Sequence, residues 1–404
     1  MDFLSTTIAI STALVIFAIV RTRLCTEKKK RYHPVVTTCV HTLINFNRLH
    51  DYIAEFGHKN KTFRALNLIV NYVFTVDPAN VEYILKTNFA NYGRGLYSYN
   101  ILADVVGDGI FGVDGEKWLH QRKLSSYELS TKVVKDYSNE VFKTDGVKLA
   151  GIVSEAARCG QAIEIQSRRG DIISRLLAVR ETDPKYLRDL IFSLFVAGKD
   201  STASNLSWFV YLLCKHPHIQ EKVAREVREA TNLKDDSSID GLADSLSEEA
   251  LNKMQYLFAA LTETLRLYPS VPLNAKICSS DDTWQDGFSV KKGDMVGYHA
   301  YSMGRMKYLW GDDAEEFRPE RWLNEDGIFQ HESPFKFTAF SAGPRICVGK
   351  DIAHRETMIF SAVLLGSFIF NLSDENKVAH YTTKFTLHID GGLYVHASPR
   401  FAHP

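Results

Sequence analysis

The stretch FSAGPRICVG, residues 340–349, decides the fold of this chain. Cys347 lies between glycines, Arg345 precedes it by two positions, and an apolar segment that predicts a helix, Asp351–Phe370, follows. Glycine lets the backbone turn tightly and approach a flat ligand. A helix amino terminus and a nearby arginine both favour a thiolate over a thiol. The pattern therefore predicts a thiolate that points out of a tight loop.

Composition limits the class of protein before any motif is considered. The 404 residues are 45% hydrophobic, and the 48 basic residues balance the 48 acidic ones, so we expect no nucleic-acid partner. The six cysteines are scattered and form no CxxC pair. This argues against a disulfide scaffold and a zinc site, and it fits a reducing compartment.

The cysteine loop is similar to that of the cytochromes P450 at every position that defines it. Alone, a single cysteine in a loop is usually buried and inert, but the spacing of the whole stretch outweighs that reading. In the family, the cysteine thiolate binds haem iron and favours cleavage of the O–O bond. The resemblance implies that Cys347 is the ligand to the iron of haem b. It also implies that Phe340, Arg345 and Gly349 contact the cofactor.

A second family motif is formed by Glu263 and Arg266, three residues apart on one helix face. Without the rest of the family pattern, these two residues indicate an exposed ion pair that contributes little to stability. The family places ExxR here and closes it with an arginine from a later segment. That arginine is Arg321, and Trp322 follows it where phenylalanine is commoner. The resemblance implies a buried network that holds the cysteine loop in position.

Trp118 and Arg122 lie four apart after a predicted Asp114 helix cap, so they share a helix face. An amphipathic surface helix is the simpler interpretation of such a pair. The family uses WxxxR at this place to contact a haem propionate, which implies cofactor binding by both residues.

A helix of about 30 residues, roughly 45 Å long, is predicted from Asp183 and Pro184 onwards. Its centre reads AGKDST, residues 197–202, and glycine, aspartate and hydroxyls are poor helix formers. The family has its oxygen-binding kink here. The resemblance implies that Gly198 leaves room for dioxygen and that Asp200 and Ser201 relay protons. Ser201 stands where the family has threonine, and Thr202 is a candidate to share the role.

The fold class expected from these elements is mainly α with small β-sheets (α+β), the cytochrome P450 fold. Strand-like segments are predicted at Phe63–Asn67, Tyr72–Val76, Phe288–Val290 and Met295–Tyr298, with a hairpin around residues 391–392.

GDGIFG, residues 107–112, matches GxGxxG, but a dinucleotide site needs a preceding strand and a helix that opens on the third glycine. We interpret this stretch as a loop beside the haem pocket.

The amino terminus predicts a membrane anchor. Phe3–Val20 is uncharged and close to the shortest length, roughly 17–25 residues, that spans a bilayer, and basic residues follow it. The alternative is a cleaved signal peptide, but such a peptide begins with positively charged residues, which are absent before Phe3. We expect an anchor (1–20), a basic linker (21–34) and a haem-thiolate domain (35–404). The anchor implies contact with membrane lipid, in the endoplasmic reticulum, with a cytosolic catalytic domain.

The chain most resembles the plant members that hydroxylate long-chain fatty acids, in residues 197–209, residues 303–308 and the cysteine loop. The resemblance implies insertion of one oxygen atom at or near the terminal carbon. It also implies that electrons come from NADPH through an NADPH–cytochrome reductase.

One departure from the family concerns the block of helices that includes the lid over the substrate channel. Only Gln166–Thr182 fills that place, so the fold is expected to be truncated between about residues 165 and 183. The chain is then a shortened isoform or an incomplete gene model. It is either a working monooxygenase or a haem-binding but catalytically impaired form. A peroxide-rearranging relative is a third hypothesis, against which Asp200 and Ser201 argue.

The predicted orientation can be tested with Asn60, Asn205 and Asn371, each of which begins an N-x-S/T glycosylation sequence. A cytosolic domain leaves all three unmodified. Protein prepared from eukaryotic membranes should therefore keep its mass after deglycosidase treatment. A loss of mass would place the domain on the other side of the membrane.

Overall fold

Helices dominate the part of the chain that the structure, a computed structural model, describes: residues 30–67, 70–130, 132–164, 184–232 and 238–400. This confirms the predicted class. The α-helices are α1 (Cys39–Ile44), α2 (Leu49–Lys59), α3 (Pro78–Glu82), α4 (Gly95–Val106), α5 (Gly115–Ser130), α6 (Lys132–Arg158), α7 (Pro184–Lys215), α8 (Pro217–Thr231), α9 (Ile239–Ser245), α10 (Glu248–Lys253), α11 (Gln255–Leu267), α12 (Ala300–Met303), α13 (Lys307–Trp310) and α14 (Lys350–Ser367).

The strands form small sheets beside the helices. They are β1 (Val35–Thr38), β2 (Thr62–Leu66), β3 (Tyr72–Thr75), β4 (Tyr92–Gly93), β5 (Ile163–Glu164), β6 (Asn274–Cys278), β7 (Asp282–Thr283), β8 (Ser289–Val290), β9 (Met295–Tyr298), β10 (Phe368–Leu372), β11 (Tyr381–Thr382), β12 (His388–Ile389) and β13 (Tyr394–Pro399). A six-stranded sheet has the order β1-β2-β3-β9-β6-β4, and a three-stranded sheet has the order β10-β13-β5. β11 pairs with β12, and β7 pairs with β8.

Several local predictions are confirmed. The four predicted strand segments correspond to β2, β3, β8 and β9, and the long predicted helix is α7, which has 32 residues. Asp77 caps α3, since its carboxylate accepts a hydrogen bond from the backbone N–H of Ala79 at 3.0 Å. Proline and capping signals act within a few residues, so the sequence alone is enough to place these ends.

Two predictions at the carboxyl end are wrong. The last helix stops at Ser367, and Phe368–Leu372 is strand β10, in which buried and exposed residues alternate. The predicted hairpin is absent from the described residues: Gly391 and Gly392 turn the chain with φ of 67° and 77°, but β12 pairs with β11 and β13 pairs with β10 and β5. Both errors involve β13, whose partners β10 and β5 lie elsewhere in the chain and cannot be recognised from the local sequence.

The largest core packs around α6, α7, α8, α11 and α14. The indole of Trp208, on α7, is fully buried and stacks on the ring of Tyr268 with centroids 3.9 Å apart. Its N–H donates to the carbonyl of Leu387 at 2.7 Å. α7 therefore joins the helical core to the carboxyl-terminal segment, as a central helix of this length is expected to do.

Within the residues that the structure describes, no helix has both the length and the apolar character needed to cross a membrane. The predicted anchor, Phe3–Val20, lies outside those residues, as does the predicted truncation at Gln166–Thr182. The described end of the predicted linker packs on the domain: the ring of His33 stacks on Phe288 at 4.4 Å, and the carbonyl of Pro34 accepts from the N–H of Arg64 at 2.8 Å.

A buried histidine pair joins α2 to the segment after β9. Nδ1 of His50 lies 3.1 Å from Nε2 of His299, and both rings are almost completely buried. Burial lowers the pKa of His50 to about 4, with Asp51 opposing and Arg305 reinforcing the shift. Burial also lowers the pKa of His299, to which His50 and Arg305 contribute. Both rings are therefore neutral in the folded protein.

This pair predicts that acid weakens the fold. The unfolded chain binds a proton at His50 below pH 6.5 and the folded chain does not until about pH 4, so the free energy of unfolding falls between these values. For His50 alone the loss reaches about 3 kcal/mol. Urea titrations at several pH values measure it. His50→Asn should be less stable at neutral pH and lose less stability in acid; an unchanged pH slope in this variant would contradict the assignment.

Candidate active site

The conformation of the cysteine loop depends on Gly343 and on backbone hydrogen bonds within the loop. Gly343 has a φ of 65°, and a Cβ at this position would lie 2.0 Å from the carbonyl oxygen of Leu85. Only glycine satisfies both constraints. The N–H of Cys347 donates to the carbonyl of Phe340 at 2.8 Å, and that of Ile346 donates to Gly343 at 3.0 Å. These bonds close the loop and present Cys347 at the start of α14.

The surroundings of Cys347 differ in part from those expected. The residue is exposed and shares a small cavity of about 110 Å³ with Arg122. Desolvation raises the pKa of the thiol, opposed by the N–H of Gly349 and by the charges of Arg122 and Lys350. The guanidinium of Arg345, which we predict to favour the thiolate, donates to Asp114 and to the carbonyl of Val113. Arg122 and Lys350 are cations whose charges lower the pKa of the thiol.

Positive charge is concentrated on one side of the loop. The guanidinium of Arg345 lies over the indole of Trp118, 4.4 Å from the ring centroid. Burial is the largest cause of the lowered pKa of Lys276, and the charges of Arg94 and Arg345 lower it further. Asp114 is the acidic group that opposes these shifts. The Nε atoms of Arg94 and Arg345 are buried without a hydrogen-bond partner. Three basic groups therefore face one carboxylate, and burial disfavours their charged forms unless a further anion is bound.

This surplus of basic groups over carboxylates fits haem b, whose propionate carboxylates would supply the missing anions. At the centre of α7 the space beside the backbone is open, since a Cβ at Gly198 would meet no atom within 4 Å. The residues that would hold the cofactor are therefore present: Cys347 for the iron, and Arg94, Arg345 and Lys276 for the carboxylates. Lys276 and Arg94 have no motif signal of their own, and sequence reasoning missed both.

Trp118 and Arg122 both face the cysteine loop from α5. Trp118 is buried, with its ring 5.7 Å from that of Phe89, and Arg122 donates to the carbonyl of Ile346. The sequence predicts that Asp114 caps α5, but its carboxylate accepts hydrogen bonds from other elements. Its carboxylate accepts the backbone N–H groups of Arg94 and Gly95, and so ties the start of α4 to Arg345.

The predicted oxygen-binding residues lie together on α7, but their side chains point to different partners. The hydroxyl of Thr386 donates to Asp200 at 3.2 Å, and His388 lies 3.5 Å from the same carboxylate. Ser201 donates to the carbonyl of Ala197 at 2.5 Å within its own helix. In this structure Asp200 and Ser201 therefore do not form a direct relay.

Thr202 makes the contact that sequence reasoning missed. Its hydroxyl donates at 3.1 Å to Glu356, nine residues after Cys347 on α14. Burial raises the pKa of Glu356 to about 7, with Asp145 contributing and Thr202 opposing. This carboxyl group therefore sits between the cysteine helix and the centre of α7, and it can hold or release a proton near neutral pH. No local pattern marks Glu356, since a single acid on a helix is usually exposed.

The expected ion network is buried. Glu263 accepts two bonds from Arg266, at 2.7 and 2.8 Å, and one from Arg321, at 2.8 Å, and the carboxylate and the guanidinium of Arg266 are fully buried. The indole N–H of Trp322 donates to the same carboxylate at 2.8 Å. Tryptophan in place of phenylalanine thus adds a donor to Glu263, a contribution that the motif alone did not predict.

The GxGxxG stretch follows helix α4 and precedes α5, which begins at Gly115. No strand leads into it. This confirms that the stretch is a loop and not a dinucleotide site, because the phosphate-binding turn requires a strand before it and a helix directly after it.

Fold and site define a haem-thiolate protein, and comparison with known proteins gives its family. The cytochrome P450 family model matches residues 152–395, more than half of the chain. Cytochrome P450 704C1 of Pinus taeda is 40% identical, over 93% of each chain. Cytochrome P450 704B1 and cytochrome P450 94C1, both of Arabidopsis thaliana, are each 31% identical, over 91% and 86% of this chain and 94% and 87% of theirs.

The chain belongs to the cytochrome P450 family. It is a haem-dependent monooxygenase with haem b as cofactor, and its electrons come from NADPH through a redox partner. The alignment with the Pinus taeda protein runs over 486 positions, 82 more than the 404 residues of this chain. At least that many positions of the alignment therefore have no residue here.

Replacing Glu263 tests the ion network. Glu263→Gln removes the charge that compensates two buried arginines and should destabilise the fold by about 3–5 kcal/mol. Urea denaturation followed by circular dichroism measures the change. Glu249→Gln is the matched control, since Glu249 forms an exposed pair with Lys253, and its denaturation midpoint should not move. Equal midpoints for both variants would show that the network contributes nothing.

Proposed function

We propose that the enzyme hydroxylates long-chain fatty acids at or near the terminal carbon. The observation that carries this proposal is an apolar stripe on α4, beside the oxygen-binding helix α7. Tyr97, Ile101 and Val105 follow one another at one-turn spacing and are 39%, 60% and 56% exposed. Phe192, on α7, is 42% exposed. Exposed apolar area of this kind is typical of a binding surface for an apolar chain.

Each site residue has a proposed role. Cys347 is the iron ligand, with Phe340 and Gly349 against the cofactor, and the cations around Asp114 hold its carboxylates. When bound, haem supplies the iron that activates dioxygen, so that one oxygen atom enters a C–H bond and the other leaves as water. Thr202 and Glu356 hold a proton between α7 and α14, and Asp200 exchanges protons with Thr386 and His388. Gly198 leaves space beside them.

The proposed setting follows from the anchor and from the family. The electron donor is an NADPH–cytochrome reductase, and residues 1–20 hold the enzyme in the membrane of the endoplasmic reticulum. The exposed side chains of Val40, Leu43 and Ile44 on α1, followed by Phe46, lie near this end of the described chain and suit contact with lipid.

The alternative is a catalytically impaired, haem-binding form. It is favoured by the short Gln166–Thr182 segment and by the unmatched alignment positions. A fatty acid held by one wall loses apolar contact, and burial stabilises by only about 25 cal/mol per Å². Water that enters an open site also promotes side reactions. We therefore propose that the enzyme hydroxylates fatty acids but binds them weakly, and that much of the NADPH it consumes yields no hydroxylated product.

The experiment is a reconstituted assay with a plant reductase and long-chain fatty acids. We expect hydroxylated product, but in much less than one equivalent per NADPH consumed, with hydrogen peroxide accounting for the difference. Mass spectrometry of the product locates the hydroxyl group. Absence of product at saturating substrate supports the impaired form, whereas near-complete coupling would show that the short segment closes the site sufficiently.

A further inference from the structure

The loop at residues 107–112 has no role in the function described so far, yet it is fixed to the oxygen-binding helix. The carboxylate of Asp189, on α7, is 4% exposed and accepts the backbone N–H of Asp108 at 2.9 Å. The other oxygen of this carboxylate accepts from Arg188, whose side chain is 67% exposed. A buried acid that accepts a loop N–H makes a charge-assisted bond, which is stronger than a neutral one.

Two glycines allow this close contact. A Cβ at Gly107, where φ is 52°, would lie 2.2 Å from Asp189 Oδ2, and a Cβ at Gly109 would lie 2.0 Å from Ser193 Oγ. Any side chain at either position would push the loop away from α7. The spacing of the GxGxxG stretch therefore serves packing of backbone against helix, not binding of a phosphate.

The same loop is attached to both neighbouring helices. The hydroxyl of Tyr99, on α4, donates to the carboxylate of Asp108 at 2.7 Å, and Gln121, on α5, donates to its carbonyl at 2.6 Å. Beyond the loop, the carbonyl of Val113 accepts from Arg345 at 2.9 Å. One short segment thus links α7, with the candidate oxygen-binding residues, to the cysteine loop, with the candidate iron ligand.

We propose that Asp189 is a positioning residue for substrate binding. By holding Asp108 it fixes α4, with the apolar stripe of Tyr97, Ile101 and Val105, against α7. Asp189 lies nine residues before Gly198, roughly 14 Å along the helix, so it acts on the wall and not on the reacting atoms. The inference rests on the proposed function in one respect, that this wall binds the fatty acid.

The test compares Asp189→Ala and Asp189→Asn in the full-length, haem-loaded protein. Asparagine keeps an acceptor for the N–H of Asp108, and alanine does not. For Asp189→Ala we expect about tenfold weaker binding of palmitic acid, measured by the substrate-induced shift of the haem spectrum. The carbon-monoxide spectrum per mole of protein should not change. Asp189→Asn should restore most of the affinity.

Hydrogen exchange of the peptide that covers the loop separates this inference from the proposed function. Exchange should be faster in Asp189→Ala than in the parent, even if palmitic acid does not bind the parent and the proposed substrate is wrong. Unchanged exchange would overturn the inference. Faster exchange with unchanged palmitic acid affinity would overturn it too, because Asp189 would then stabilise the loop without positioning the wall.

A second pair of variants tests the packing without touching the carboxylate. Gly109→Ala should reproduce the loss of affinity and the faster exchange, because its methyl group meets Ser193. Gly151→Ala, on α6, is the matched control, since a Cβ there meets no atom within 4 Å. Equal behaviour of the two variants would contradict the close contact between loop and helix.

Discussion

The compensation of buried charge at Glu263 is the interaction on which the rest of the site depends. Its carboxylate accepts bonds from Arg266, Arg321 and Trp322, and the backbone N–H of Arg318 donates to it at 3.0 Å. Arg266 in turn donates to backbone carbonyls at positions 304, 314 and 316. The segment from Gly304 to Trp322, which is mostly irregular apart from the short helix α13, is thus fixed to α11 by polar bonds.

The active site is assembled between two elements that this framework holds. One is the cysteine loop with α14, and the other is the centre of α7. Two connections run from the side of the cysteine loop to α7: the bond from Thr202 to Glu356, and the loop that Asp189 holds, after which the carbonyl of Val113 accepts from Arg345. The bond places a titratable acid beside the predicted oxygen-binding residues, and we propose that the loop sets the position of the apolar wall. The basic groups around Asp114 lie on the side of the cysteine loop, where they suit the carboxylates of the cofactor.

Sequence reasoning found the residues that belong to short motifs with a characteristic spacing. Cys347, Glu263 and Arg266 belong to short motifs, and the structure forms the buried network that the resemblance implies for Glu263 and Arg266. It missed Lys276 and Glu356, because their significance arises from partners that are distant in the chain, such as Arg94 for Lys276 and Thr202 for Glu356. The helix prediction extends too far, over Phe368–Phe370 of strand β10, for the same reason: an apolar run is compatible with helix or strand, and its pairing with β13 decides.

The central claim is that Cys347 binds haem iron as a thiolate, and the spectrum of the reduced, carbon-monoxide-bound protein tests it most directly. The parent should show the strongly red-shifted Soret band of thiolate ligation. Cys347→Ala should lose this band, whereas Cys159→Ala, which removes another exposed cysteine, should keep it. Retention of the red-shifted band in Cys347→Ala would contradict the account.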